Sequence, residues 1–295
     1  MALIPPPYLN GVVSIEMEAE KTKDDGTKYL EMQPIATGFL YGRFVSREKE
    51  NKLYKLYLVT NRHVFQDMNS GEYLKKVHLR FNLVEKKGTK DFVVDLVDNK
   101  GKPIWLSHSN KKVDLAVLPI IGNELAANSI DFYFFRDDKD VFLARDFEKL
   151  GVATGDAIFV LGFPLGIRGN SRNFAIVKAG VIARYDEELL TEHYFFVDSN
   201  TYPGNSGGPV IFKPEVVSIQ GTNSINQAGI IGVISAGISY QEVAVSSQTN
   251  RPRIIFEEQT GIVKVVPMDS VNETIDQYIK EKGEPEVVEE IKDEK

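Results

Sequence analysis

The chain has 295 residues, 42% of them hydrophobic and 26% charged, which is the usage of an ordinary globular protein with room for one large domain or two modest ones. Its formal net charge of -7 argues against nucleic acid as the main partner, because phosphate binding needs a basic stripe. There is no cysteine, which excludes a disulfide framework, a thiolate nucleophile and a cysteine-ligated metal, and fits a reducing compartment.

At the N-terminus, Met1-Ala2-Leu3-Ile4-Pro5-Pro6-Pro7 lacks a basic region followed by an apolar stretch, so no secretory signal is expected. Strand composition then marks residues 11–17, 35–45, 53–60, 76–84, 92–97 and 113–120, with Gly, Asn, Asp or Lys clusters between them. Residues 125–150 differ in texture, mixing aromatics with charges, and read as a connection that contains a short helix near 142–150. The strand texture returns at 157–163, 173–183, 194–198, 209–212, 229–236 and 261–266. The longest apolar stretch, 228–238, is shorter than the roughly 20 residues a membrane span needs. A cytoplasmic protein without a membrane partner is the expectation. Near the end, Ser270-Val271-Asn272-Glu273 has the pattern of a capping box, and Val271, Ile275 and Ile279 form one apolar helix face. The Glu-rich tail after Lys282 is expected to be solvated. Many short strands with turn signals predict an all-β barrel or sandwich.

The run Pro203-Gly204-Asn205-Ser206-Gly207-Gly208-Pro209 is the candidate for the chemistry, and it reads alternatively as a glycine-rich hairpin with no activity. Its glycines permit sharp turns that expose a serine hydroxyl and let backbone amides converge on an oxyanion. The run also fits a nucleophile elbow, but an elbow serine opens a helix, whereas residues 209–212 continue as a strand. All four histidines, His63, His78, His108 and His193, precede Ser206, against the elbow order. Position favours His63, on a loop at the end of a strand, as general base. His78 falls in a possible strand, His108 in a polar turn and His193 in a charged stretch. Asp114, entering an apolar run, is a candidate orienting carboxylate and reads equally well as a surface aspartate at a strand end.

Taken together, Thr60-Asn61-Arg62-His63-Val64, Val113-Asp114-Leu115-Ala116-Val117-Leu118 and Gly204-Asn205-Ser206-Gly207-Gly208-Pro209 resemble the motifs of the chymotrypsin/trypsin-like serine peptidases. Val160-Leu161-Gly162-Phe163-Pro164-Leu165-Gly166 is similar to a strand and turn of the cysteine-free, HtrA-like bacterial branch, and Gly232-Val233-Ile234-Ser235-Ala236-Gly237 to the substrate-binding strand. The resemblance implies two six-stranded antiparallel β-barrels with a C-terminal helix. The first barrel would span 10–124, the connection 125–150, the second barrel 151–268, and the helix and acidic tail 269–295. It implies a serine endopeptidase with a His63, Asp114, Ser206 triad acting through an acyl-enzyme. The amides of Gly204 and Ser206 would form the oxyanion hole. Asn200, Thr201, Ser235 and Gly237 would bind substrate, with Ser235 also supporting the aspartate. No metal or organic cofactor is required. The partner would be a protein or peptide substrate, with a regulatory protein as a further partner.

The chain also departs from the pattern. Asn205 stands where many secreted relatives have an aspartate that pairs with a new N-terminus, so activation by that route is not expected. A peptide-binding (PDZ) domain of the kind HtrA-type proteins carry is not expected. A catalytically silent peptide-binding module is the competing reading, and an esterase using the same triad is a third.

Overall fold

The computed structural model describes residues 4–48, 51–85, 88–215 and 224–282. The first half forms β1 (Val12–Thr22), β2 (Lys28–Glu48), β3 (Asn51–Thr60), β4 (Lys76–Leu83), β5 (Thr89–Asp95), β6 (Leu106–Ser107) and β7 (Ala116–Ile120), with the helical turn α1 (Arg62–Phe65) after β3. The connection supplies α2 (Gly122–Ala127), β8 (Ile130–Asp131), β9 (Phe135–Arg136) and α3 (Phe147–Leu150). The second half forms β10 (Ala157–Gly162), β11 (Ile176–Arg184), α4 (Glu187–Thr191), β12 (Phe195–Asp198), β13 (Pro209–Phe212), β14 (Gly229–Val245), β15 (Pro252–Pro267) and α5 (Met268–Lys282).

Two six-stranded barrels are not what these strands build. Strands β10-β11-β12-β15-β14-β13 close into a six-stranded barrel. The first half is an open nine-stranded sheet in the order β5-β4-β1-β2-β3-β7-β6, with β8 paired to β4 and β9 to β2. Closure fails at its two edges. Edge strand β6 has only two residues, and β5 exposes most of its length. The connection adds β8 and β9 to inner strands instead of sealing that gap.

Period-two alternation sorts the side chains between two cores. In the first sheet Leu40, Leu58, Ala116 and Leu118 face its own core. Their neighbours Phe39, Tyr41, Tyr57, Val59 and Val117 face the opposite way, into a second core shared with Leu161, Ile211, Val233 and Val266 of the barrel. Both faces of β7 and of residues 56–60 in β3 are therefore buried, which is why those runs read as nearly continuous apolar sequence. Each such side chain contributes about 1.5–3 kcal/mol on burial. Helix α5 lays Val271, Ile275 and Tyr278 on the shared core.

The start of α5 differs from the capping-box expectation. It begins at Met268, directly after β15, so Ser270 is an internal residue and fully buried. Asp269 accepts a hydrogen bond from the Ala144 N–H at 2.6 Å, tying the helix start to the connection. The acidic tail lies outside the described residues. Strands β14 and β15 also run well past the expected ends, as a ribbon exposing Tyr240, Val243, Ile254 and Phe256. Among the described residues no helix is long and apolar enough to cross a membrane.

Asp140 fixes the connection. Its buried carboxylate accepts from Tyr133 Oη (2.8 Å), Arg136 Nε (2.7 Å), the Arg136 N–H (3.0 Å) and Tyr8 Oη (3.3 Å). Burial alone would raise its pKa, but Arg136 and Tyr133 outweigh burial and hold it below the usual aspartate value. A depressed pKa contributes stability that is present above the unfolded value, near 3.9, and is lost as pH falls through the folded one. Asp140→Ala is expected to cost about 3 kcal/mol at neutral pH, since it leaves Arg136 without its buried partner. Urea unfolding at neutral pH and again below about pH 4 checks this, and the gap between the two proteins should shrink in acid.

Candidate active site

The pairing of β3 with β7 sets the first part of the site. Thr60 lies opposite Ala116 in an antiparallel register, so the residues just past the end of β3 meet those just before β7. That places His63 beside Asp114. The His63 backbone N–H donates to Asp114 Oδ1 at 3.0 Å, and His63 Nδ1 lies 2.5 Å from Asp114 Oδ2. Asn61 Nδ2 donates to the Asp114 carbonyl at 2.8 Å and pins the same segment. A neutral ring that gives its Nδ1 proton to the carboxylate keeps the Nε2 lone pair free as a base. His63 is the second residue of the helical turn α1 rather than a loop residue, and its side chain is 36% exposed.

The Ser206 run links β12 to β13. Gly204 and Gly207 have φ values of +98° and +80°, in the region that favours glycine. The run is held by bonds from Asn205 N–H to the Tyr202 carbonyl (3.0 Å), Gly208 N–H to the Asn205 carbonyl (2.9 Å) and Gly207 N–H to the Ile234 carbonyl (2.9 Å). Thr37 of β2 docks it onto the first sheet. The Thr37 N–H donates to the Ser206 carbonyl at 3.0 Å, and Thr37 Oγ1 donates to the Gly204 carbonyl at 2.6 Å while accepting the Phe163 N–H at 3.0 Å. Thr60 Oγ1 in turn donates to the Thr37 carbonyl at 2.9 Å, so the strand end that leads to His63 and the serine loop share one anchor. Sequence reading missed Thr37, since one threonine inside a long strand carries no signal of its own.

Among the described residues, neither the Gly204 nor the Ser206 N–H is used within the protein. The Pro203 carbonyl accepts from the Leu165 N–H at 2.7 Å. Because a trans peptide points its N–H opposite to its C=O, the Gly204 N–H faces away from Leu165. No hydrogen bond joins Ser206 to His63 among the described residues.

A cavity of about 260 Å³ opens beside Ser206. Thr201, Ser235 and Gly237 line it, whereas Asn200 does not and sits exposed near Gly261. Gln259 on β15 also lines it, reaching across to Gly237, and was not foreseen because it is far from any motif. No charged side chain lines this cavity among the described residues. Lys178 sits 4.5 Å over the ring of Tyr202 at the rim, and burial lowers its pKa. Among the described residues, no hydrogen bond joins Ser235 to Asp114. Asn205 is 1% exposed, and neither atom of its amide has a partner.

The remaining histidines lie elsewhere. His78 on β4 is buried with Glu18 at 3.7 Å, while the rings of His108 and His193 lie 4.8 Å apart, tilted by 59°, near Glu273.

The family of trypsin-like peptidase domains matches residues 36–215, more than half of the chain. No curated protein matches significantly. Among solved structures, an inactive serine-to-alanine mutant of Rv3671c from M. tuberculosis H37Rv is 15% identical, with a TM-score of 0.38 over 92% of this chain and 87% of that one.

Proposed function

The chain belongs to the family of trypsin-like peptidase domains, and on that premise we propose that it is a serine endopeptidase. The observation that carries this reading is the double contact of Asp114 with the backbone and ring of His63. That contact holds the imidazole in the tautomer a general base needs. Ser206 Oγ attacks the scissile carbonyl while His63 Nε2 takes its proton. The same proton then passes to the leaving amine, and an acyl-Ser206 intermediate remains. Water, activated by His63, hydrolyses the acyl group. The unused amides of Gly204 and Ser206 receive the oxyanion, and each such donor is worth about 2.7–4 kcal/mol at the transition state.

His63 and Asp114 come from the segment 10–124 and Ser206 from 151–268, so substrate lies between the two. The uncharged cavity lined by Thr201, Ser235, Gly237 and Gln259 favours small, aliphatic or polar side chains over Arg or Lys. The run from Val160 to Gly166 aligns the protein with the HtrA-like branch, and the lack of cysteine favours the cytoplasm.

One observation favours a second reading. Ser206 has no hydrogen bond to His63, which suits a silent binding module or an enzyme completed by a regulatory partner. A fluorophosphonate probe separates the readings. The proposal expects labelling of folded protein, abolished in Ser206→Ala and in His63→Ala. Folded protein that stays unlabelled from neutral to alkaline pH would support the silent module.

A further inference from the structure

His108, His193 and Glu273 come from three parts of the fold. His108 follows β6, His193 lies between α4 and β12, and Glu273 is on α5. Each presents one ligand-type atom, and these atoms lie within 4.8 Å of one another. Glu273 Oε2 is 3.0 Å from His108 Nε2 and 3.6 Å from His193 Nδ1.

We propose that these three residues bind a divalent transition metal of the zinc type. A tetrahedral zinc held at about 2.0–2.2 Å from its ligands needs ligand atoms roughly 3.3 Å apart. Two of the three edges already bracket that spacing, and the third, between the two histidines, is no longer than 4.8 Å. Two imidazoles and one carboxylate are the donor set of borderline ions, whereas calcium and magnesium prefer all-oxygen sites. His193 and Glu273 also line a cavity that presents Glu148, Glu187, Asp269 and Arg145. Four carboxylates against one guanidinium give that cavity a field that attracts cations.

The supports are unequal, which suits a site that closes on its ion. His108 is 4% exposed, and its Nδ1 accepts the Asn110 N–H at 3.1 Å. Without metal, its ring proton therefore sits on Nε2 and points at Glu273. The ion takes the place of that proton, which moves to Nδ1, so the Asn110 N–H gives up its bond to the ring when the ion binds. His193 is held at φ +61°, a conformation unusual for a residue other than glycine, with its N–H bonded to the Leu190 carbonyl and its Nδ1 3.0 Å from Ser270 Oγ. The three ligands lie outside the Ser206 cavity, so the proposal does not rest on the peptidase reading.

Cobalt(II) is the probe, because its visible absorption reports a low-symmetry site with nitrogen ligands. The full chain is expected to bind one equivalent of Co²⁺, displaced by Zn²⁺. His193→Ala and Glu273→Gln should each weaken binding by more than about tenfold, since even outer-shell partners are worth ten- to hundredfold. His63→Ala, which removes a histidine–carboxylate pair elsewhere in the fold, should leave the spectrum intact. Glu273→Gln keeps the side-chain shape, so it stays informative if His193→Ala folds poorly. The proposal is overturned by no spectrum in the native chain, by a spectrum that survives Glu273→Gln, or by one lost in His63→Ala.

Discussion

Asp114→Asn is expected to lower kcat/KM by about ten-thousandfold while the protein stays folded. The carboxylate accepts two hydrogen bonds from His63, one from its backbone N–H and one from Nδ1. An asparagine can keep the first through its carbonyl oxygen. Its NH₂ then faces Nδ1 and donates where the carboxylate accepted. The ring responds by carrying its proton on Nε2, where it can no longer take one from Ser206. The developing imidazolium also loses its counter-charge. Kinetics on a fluorogenic peptide measure the loss, and the rate of fluorophosphonate labelling should fall in parallel. A loss of less than about tenfold would remove Asp114 from the proposed mechanism.

Local pattern marks only candidates for this site, and the resemblance of the three motifs is what singles out His63, Asp114 and Ser206. His63 and Asp114 each border an apolar strand, and the β3–β7 register makes two strand ends into neighbours. The glycine run around Ser206 announces its own backbone through Gly204 and Gly207. What escaped depends on partners distant in the chain. Alternation says which face of a strand is buried but not whether two edges pair, so the open first sheet could not be told from a barrel. Ser270 and Glu273 have the spacing of a capping box, yet a strand leading straight into the helix frees both side chains to face His193 and His108. Thr37 and Gln259 act through contacts that no spacing encodes. The outer ribbon of β14 and β15 continues past the expected strand ends with its apolar residues exposed, so no buried face marks its extent.

The largest stability effect is expected at Gly207. A Cβ added there would lie 2.2 Å from both the Thr37 carbonyl oxygen and Thr60 Oγ1. Neither can yield easily, because those two atoms are bonded to each other between adjacent strands β2 and β3. The loop must therefore lift, which strains the bonds from Gly207 N–H to Ile234 and from Thr37 N–H to Ser206. The left-handed backbone, the overpacking and the two weakened hydrogen bonds together predict a loss of about 3–5 kcal/mol for Gly207→Ala. Gly71 provides the control, since it also has positive φ (+76°) but meets nothing within 4 Å of an added Cβ. Gly71→Ala should cost only the backbone term, about 1 kcal/mol. Urea unfolding of both variants isolates the docking contact as the difference between them. Equal costs would mean that the serine loop is not clamped to the first sheet through Thr37 and Thr60. If the clamp holds, Gly207→Ala should also lose fluorophosphonate labelling under conditions where the protein is still folded, because lifting the loop moves Ser206 away from the strand end that carries His63.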